Sequence, residues 1–141
     1  MLVIALQFFR GPEPEVSTVN PGDLLATSTI SEEVALVLKT ACYDCHSNET
    51  KYPWYSYITP FSWFIFDHVR EGREELNFSE WTDMTDRRQP RKLKEIAEEV
   101  EEDHMPLSSY LLLHGEARLS DAQKNVLISW AESFGGSSSE N

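Results

Sequence analysis

Cys42-Tyr43-Asp44-Cys45-His46 is the one place in this chain where cysteine occurs. Its spacing is the C-x-x-C-H signature through which a haem is attached covalently. The two thiols, one helical turn apart, suit thioether bonds to the two vinyl groups of one porphyrin. His46 follows directly, so its imidazole is carried beneath the ring as a proximal iron ligand. A gap of another length would not bring two sulfurs and one imidazole to a single macrocycle. Two rival chemistries use the same residues. A thioredoxin-like redox pair needs a strand-to-helix context around C-x-x-C, and no such alternation is legible here. A structural zinc site needs four nitrogen or sulfur ligands. Cys42, Cys45, His46 and a distant histidine approach that number, but without a second spaced pair.

The chain is 141 residues long with a formal net charge of −12 and a pI near 4.6. That length fits one domain with a real core. The acidity argues against nucleic acid and against an anionic membrane surface as partners. It favours a protein partner of basic or mixed charge, met by electrostatic steering, or it serves solubility alone. Residues 2–9, Leu-Val-Ile-Ala-Leu-Gln-Phe-Phe, are mostly apolar but too few to cross a bilayer, which takes about 20. They lack the features of a cleavable signal. Their reading is the end of a longer membrane anchor, with a short segment packed on the core as the alternative. Either leader suits a periplasmic or equivalent compartment.

Outward from the cysteines the pattern is helical. Residues 1–30 read as anchor remnant plus linker, because Pro12, Pro14, Pro21 and Gly22 break any period. Ser31 is placed as an N-cap with Glu32 and Glu33 in the first turn. Val34, Val37, Leu38 and Ala41 share the buried face of a helix that leads straight into Cys42. A second helix is predicted over 60–77 with Thr59 as its cap and Pro60 in its first turn. A third is predicted over 90–103, with Leu93, Ile96, Ala97 and Val100 on one face. A last helix starts at Ser120, paired with Gln123 as a capping box. It carries Val126, Leu127, Trp130 and Phe134, and Gly135 ends it. Residues 31–134 thus form the domain, and 135–141 a disordered tail.

Candidates for a second iron ligand are Met105, His104, His68, His114 and Met84, with an open sixth position as the remaining case. Met105 is favoured because Pro106 follows and a helix precedes it. Proline stiffens the loop holding the sulfur, and a thioether is a weak ligand that benefits from being held. Eight aromatics fall between Tyr52 and Phe66. Starting six residues after His46, this block is placed to wall a haem, with Trp54 and Trp63 as contacts. A backbone carbonyl in residues 52–60 is the expected partner of His46 Nδ1–H, which must be held to orient the ring.

Residues 42–60, CYDCHSNETKYPWYSYITP, resemble the signature of the bacterial haem-binding domain family of small monohaem c-type cytochromes. So do Gly72, Arg73, Leu76, Asn77, Phe78, Ser79, Glu80 and Trp81. The third similar stretch is Met105-Pro106-Leu107 with Tyr110, Leu113, His114, Glu116 and Ala117. Gly115 departs from the proline that many members carry after the histidine. The resemblance covers about residues 1–134. It implies an all-α, cytochrome c-like domain wrapped around one haem c attached through Cys42 and Cys45. It also implies His46 as proximal and Met105 as distal ligand, often behind a membrane anchor. The expectation that follows is a monomeric electron carrier rather than an enzyme. A haem-based redox or gas sensor and a peroxidase-like enzyme with an open sixth site are the alternatives.

Overall fold

The structure is a computed structural model and describes Ile4 and residues 7–136. Those residues form seven α-helices joined by short 3-10 turns, and no strand occurs among them. In chain order the helices are α1 (Leu24–Thr27), α2 (Glu32–Ala41), α3 (Tyr43–His46), α4 (Phe61–Glu75), α5 (Arg88–Glu101), α6 (Ser108–Leu111) and α7 (Asp121–Gly136). The fold is all-α, as the periodicities require.

The starts and stops follow local chemistry. Ser31 Oγ accepts from Val34 N at 3.3 Å, and α2 buries Val34, Val37, Leu38 and Ala41. Ser120 and Gln123 close their box reciprocally: Ser120 N–H donates to Gln123 Oε1 at 2.9 Å and Gln123 N–H to Ser120 Oγ at 3.2 Å. The C-terminal helix runs on through Gly135 to Gly136. The remaining tail, 137–141, and most of residues 1–6 lie outside the described residues.

Both boundaries of α4 depart from the sequence reading. Thr59 is not the cap of α4: its hydroxyl meets Ser62 Oγ, and Pro60 occupies the cap position without a side-chain hydrogen bond. The first amides of α4 are satisfied by main chain instead, Ser62 N–H on Ile58 O and Trp63 N–H on Pro60 O. The helix also stops before Asn77. That side chain is committed elsewhere, accepting from Ser79 N at 3.1 Å and donating to Asn48 Oδ1 at 2.9 Å. It thereby caps a 3-10 turn over Phe78–Asp83 that the sequence did not announce.

The supposed linker also needs correction. Asp23 caps α1 through Leu25 N, and Leu24 is 2 % exposed in the main core with Leu38, Phe78, Trp81, Leu93 and Leu127. The folded unit therefore begins well before residue 31. Upstream, residues 14–17 lie as a strap along the turn after His46. Ser17 N–H donates to Asn48 O, and Arg73 donates to the carbonyls of Glu15 and Ser47 and to Thr50 Oγ1. The most extensive helix pairing among the described residues is α5 on α7.

Close packing of α4 on α3 depends on Gly72. A Cβ there would stand 2.7 Å from the main-chain oxygen of Cys45. In an ordinary helix interior, Gly→Ala stabilises by about 1 kcal/mol. Here the clash outweighs it, and Gly72→Ala is expected to cost about 2 kcal/mol net. Gly115→Ala, whose Cβ meets nothing within 4 Å, should stay within about 0.5 kcal/mol of the parent. Thermal and denaturant unfolding followed by circular dichroism measures both.

Candidate functional site

Cys42 is the joint of the site. Its N–H closes α2 on Leu38 O at 2.9 Å, and its carbonyl accepts from Cys45 N and His46 N at 3.2 and 2.9 Å. With φ −123° and ψ −40° it ends one helix and starts the next. The short helix α3 is then fixed from several sides. Tyr43 donates to the buried carboxylate of Asp23 at 2.9 Å and stacks on Phe78 with centroids 5.2 Å apart. Ser47 Oγ donates to Tyr43 O at 2.7 Å. Asp44 receives Tyr110 Oη at 2.8 Å and Lys51 N at 3.1 Å.

His46 Nδ1 lies 2.9 Å from Gly72 O and 3.1 Å from Leu76 O. Carbonyl oxygens accept only, so Nδ1 carries the proton and Nε2 keeps a free lone pair. Burial lowers the pKa of His46, more than the two carbonyls raise it. The ring is therefore held neutral and oriented, the form that binds a metal. The expected carbonyl in residues 52–60 is not the partner. The end of α4 supplies it: Leu76 O lies at the helix terminus, beyond the last intrahelical donor, Gly72 O accepts from His46 in addition to Leu76 N at 2.9 Å, and Gly72 lets that turn come close.

Cys42 and Cys45 are both free thiols. Burial pushes Cys42 up to about 12 and Cys45 to about 11, with Asp44 adding to the latter. Two apolar hollows flank the C-x-x-C-H turn. One, of about 360 Å³, is lined by Cys42, His46, Leu76, Phe78, Ile96, Val100, Met105 and Leu119. The other, of about 620 Å³, is lined by Cys45, Tyr52, Tyr55, Phe61, Phe64, Val69, Tyr110 and His114.

Of the five candidates for a second ligand, Met105 is the one that shares a hollow with His46. The device that delivers it was not legible. Asp103 adopts φ +59°, a left-handed residue just past a helix end. Glu99 O then accepts from both His104 N and Met105 N, at 2.9 and 3.1 Å. The Asp103 carboxylate is tied to Lys124 of α7. Helix α5 thus ends at Glu101 rather than 103, and Pro106 follows a turn already made. His104 is exposed and faces Glu99 and Glu102. His68 and His114 line the other hollow; His114 stacks on Tyr110 and meets Tyr55 Oη at 3.1 Å. Met84 packs against the core at a separate hollow.

The aromatic block divides. Phe66 is core, with Tyr52 edge-on to it. Tyr55, Phe61 and Phe64 line the larger hollow. Trp54 and Trp63 line neither hollow and are 75 % and 42 % exposed. A second feature missed from sequence is Lys92, buried beside His46 and paired with Glu95 at 2.6 Å and Glu75 at 3.7 Å.

The donor set fits a haem: two adjacent free thiols, a neutral histidine with Nε2 free, and apolar walls on both sides of the turn. It does not fit a protein-only metal centre, since no group of three His, Cys, Asp or Glu side chains able to hold an ion occurs among the described residues. An all-helical domain with these donors is of the haem-binding class. Residues 1–133 match the family model described as a haem-binding domain, and the chain belongs to that family. No curated protein and no solved structure matches it.

The raised thiol pKa values have a direct chemical consequence. In folded protein made without haem attachment, reaction with a disulfide reagent at pH 8 should be at least about a hundredfold slower than after unfolding in denaturant, because the thiolate reacts. Equal rates in the two states would contradict the burial of these thiols.

Proposed function

We propose that this domain is a monohaem c-type cytochrome that carries single electrons, with Cys42 and Cys45 as thioether residues and His46 and Met105 as iron ligands. The observation that carries this reading is the pinned imidazole: His46 Nδ1 is fully committed to main chain, and Nε2 is free in a molecule where Met105 lines the same hollow. Haem supplies reversible one-electron exchange between ferric and ferrous iron. The chain does the rest. Cys42 and Cys45, which flank the first turn of α3, would hold the ring there as thioethers, each thiol S–H adding across one vinyl group. Leu76, Phe78, Ile96 and Val100 exclude water, and the Met105 thioether favours the ferrous state relative to a second imidazole.

An electron carrier is favoured over a peroxidase-like enzyme because neither His104 nor His68 lines the hollow that holds His46 and Met105. A distal acid–base group needs hydrogen-bond reach of the bound oxygen. The compartment proposed is the bacterial periplasm, with the domain held at the membrane by the apolar segment that residues 2–9 represent. Met105→Ala should lower the reduction potential, remove the sulfur-to-ferric-iron charge-transfer band and let ferrous protein bind CO. Rapid CO binding by the unaltered protein would move the assignment to a gas or redox sensor.

The redox partner proposed is a basic or mixed-charge protein. Glu98, Glu99, Glu101, Glu102 and Asp103 are all exposed just before Met105, and Glu99 lines its hollow. Lys94 and Lys124 neutralise Glu98 and Asp103, which leaves Glu99, Glu101 and Glu102 to steer a cationic surface. Electron-transfer rates with a basic partner should fall several-fold between about 10 and 200 mM salt, as the screening length shortens. Rates that do not depend on salt would remove this docking face.

A further inference from the structure

The aromatic residues that do not serve the haem site gather beside the N-terminal apolar run. Trp54 and Tyr57 stand three residues apart in a 3-10 turn (Trp54–Tyr57), where side chains at that spacing lie on the same side. Both are exposed, as are Ile58 just after them and Trp63 in the first turn of α4. None of these four lines either hollow at the C-x-x-C-H turn, so a haem there leaves them uncovered.

The N-terminal segment is tied to this surface by directed bonds. The Gln7 side chain bridges the main chain of Thr59 twice, donating to its carbonyl at 3.2 Å and accepting from its N–H at 3.0 Å. Trp63 Nε1 donates to Phe9 O. Phe8 and Phe9 themselves are 84 % and 71 % exposed, and Ile4 is exposed as well. Arg10 lies 5.0 Å over the Tyr57 ring, and it joins Trp63, Phe64 and Arg70 around a shallow hollow.

An exposed cluster of tryptophan and tyrosine with arginine at its edge, continuous with an apolar peptide, has the chemistry of a membrane–water interface. There amphipathic rings sit at headgroup level, and arginine extends its charge outward while its stem stays apolar. The net charge of −12 excludes attraction of the whole molecule to an anionic surface, so the contact must be made by rings rather than by charge. We infer that Trp54, Tyr57, Ile58 and Trp63, together with Phe8 and Phe9, form a face that lies in the headgroup region of a zwitterionic bilayer. The face docks the domain on the lipid surface in one orientation, beyond any tether the N-terminal run provides. The inference goes beyond the electron-carrier reading and stands whether or not Met105 binds iron.

The test is flotation of the whole chain with phosphatidylcholine vesicles, quantified by protein stain so that the result does not depend on haem. Hydrogen exchange is measured on the same samples. The chain is expected to float, and Trp54→Ser combined with Trp63→Ser should weaken partitioning by at least about tenfold, with circular dichroism and haem absorbance unchanged. Amides over 54–63 should gain protection with vesicles, while those of α5 do not. Replacing part of the phosphatidylcholine by phosphatidylglycerol at low salt should reduce binding. A chain that does not float, or a double variant that partitions like the parent, would overturn the proposal. So would protection of 54–63 that grows with protein concentration in the absence of lipid, which would assign the face to self-association.

Discussion

A shared proton at the end of α4 organises the rest of the site. His46 Nδ1–H is divided between the carbonyls of Gly72 and Leu76. That single contact fixes the tautomer, sets the ring plane and joins α3 to α4. It requires Gly72, because any side chain there would collide with Cys45 O. It also requires the helix to end where it does, since Leu76 O is free only because Asn77 turns away to cap the next segment. Burial then keeps the imidazole neutral, so a basic nitrogen is held ready in an apolar place.

A second network holds the other side of α3. Asp23 is 5 % exposed and accepts from Leu25 N, Tyr43 Oη and Ser79 Oγ. A carboxylate buried that far costs free energy unless its oxygens are satisfied, and here each oxygen has a donor. One side chain thereby caps α1, anchors the tyrosine inside the C-x-x-C-H motif and braces the turn over Phe78–Asp83. Burial first, and then the hydrogen bond to the acidic Asp23, push the Tyr43 phenol well above its ordinary pKa. The motif is thus clamped between Asp23 from the N-terminal side and α4 from the C-terminal side, with both thiols left free.

What could be read in advance was what local chemistry determines. C-x-x-C-H points to haem through its spacing, and haem binding is what the family shares; Ser31 and Ser120 announce helix starts, and the face of Val34, Val37 and Leu38 follows from the 3.6-residue period. Membership of a haem-binding family agrees with the resemblance carried by residues 42–60, 72–81 and 105–117. What could not be read depends on residues distant in sequence. The partner of Nδ1 lies 26 and 30 positions from His46. Leu24 looked like linker because prolines and a glycine precede it, yet tertiary packing gives it a place in the core. Asp103 had no sequence signal for a left-handed turn beyond its tolerance of that conformation. Trp54 and Trp63 were grouped with the haem wall because proximity in sequence does not reveal which side of a turn a ring occupies.

The central claim is that the turn between α2 and α4 holds one haem through both thiols, with His46 Nε2 directed at the iron. It is tested most directly by intact mass spectrometry of denatured protein produced with a functioning haem-attachment system, alongside Cys42→Ala and Cys45→Ala. The account predicts a mass increase of one haem that survives acid–acetone extraction. Each single variant should retain the group through one remaining thioether, and the double variant should release it. Haem that leaves the unaltered chain on extraction, or a chain that takes up none, would contradict it.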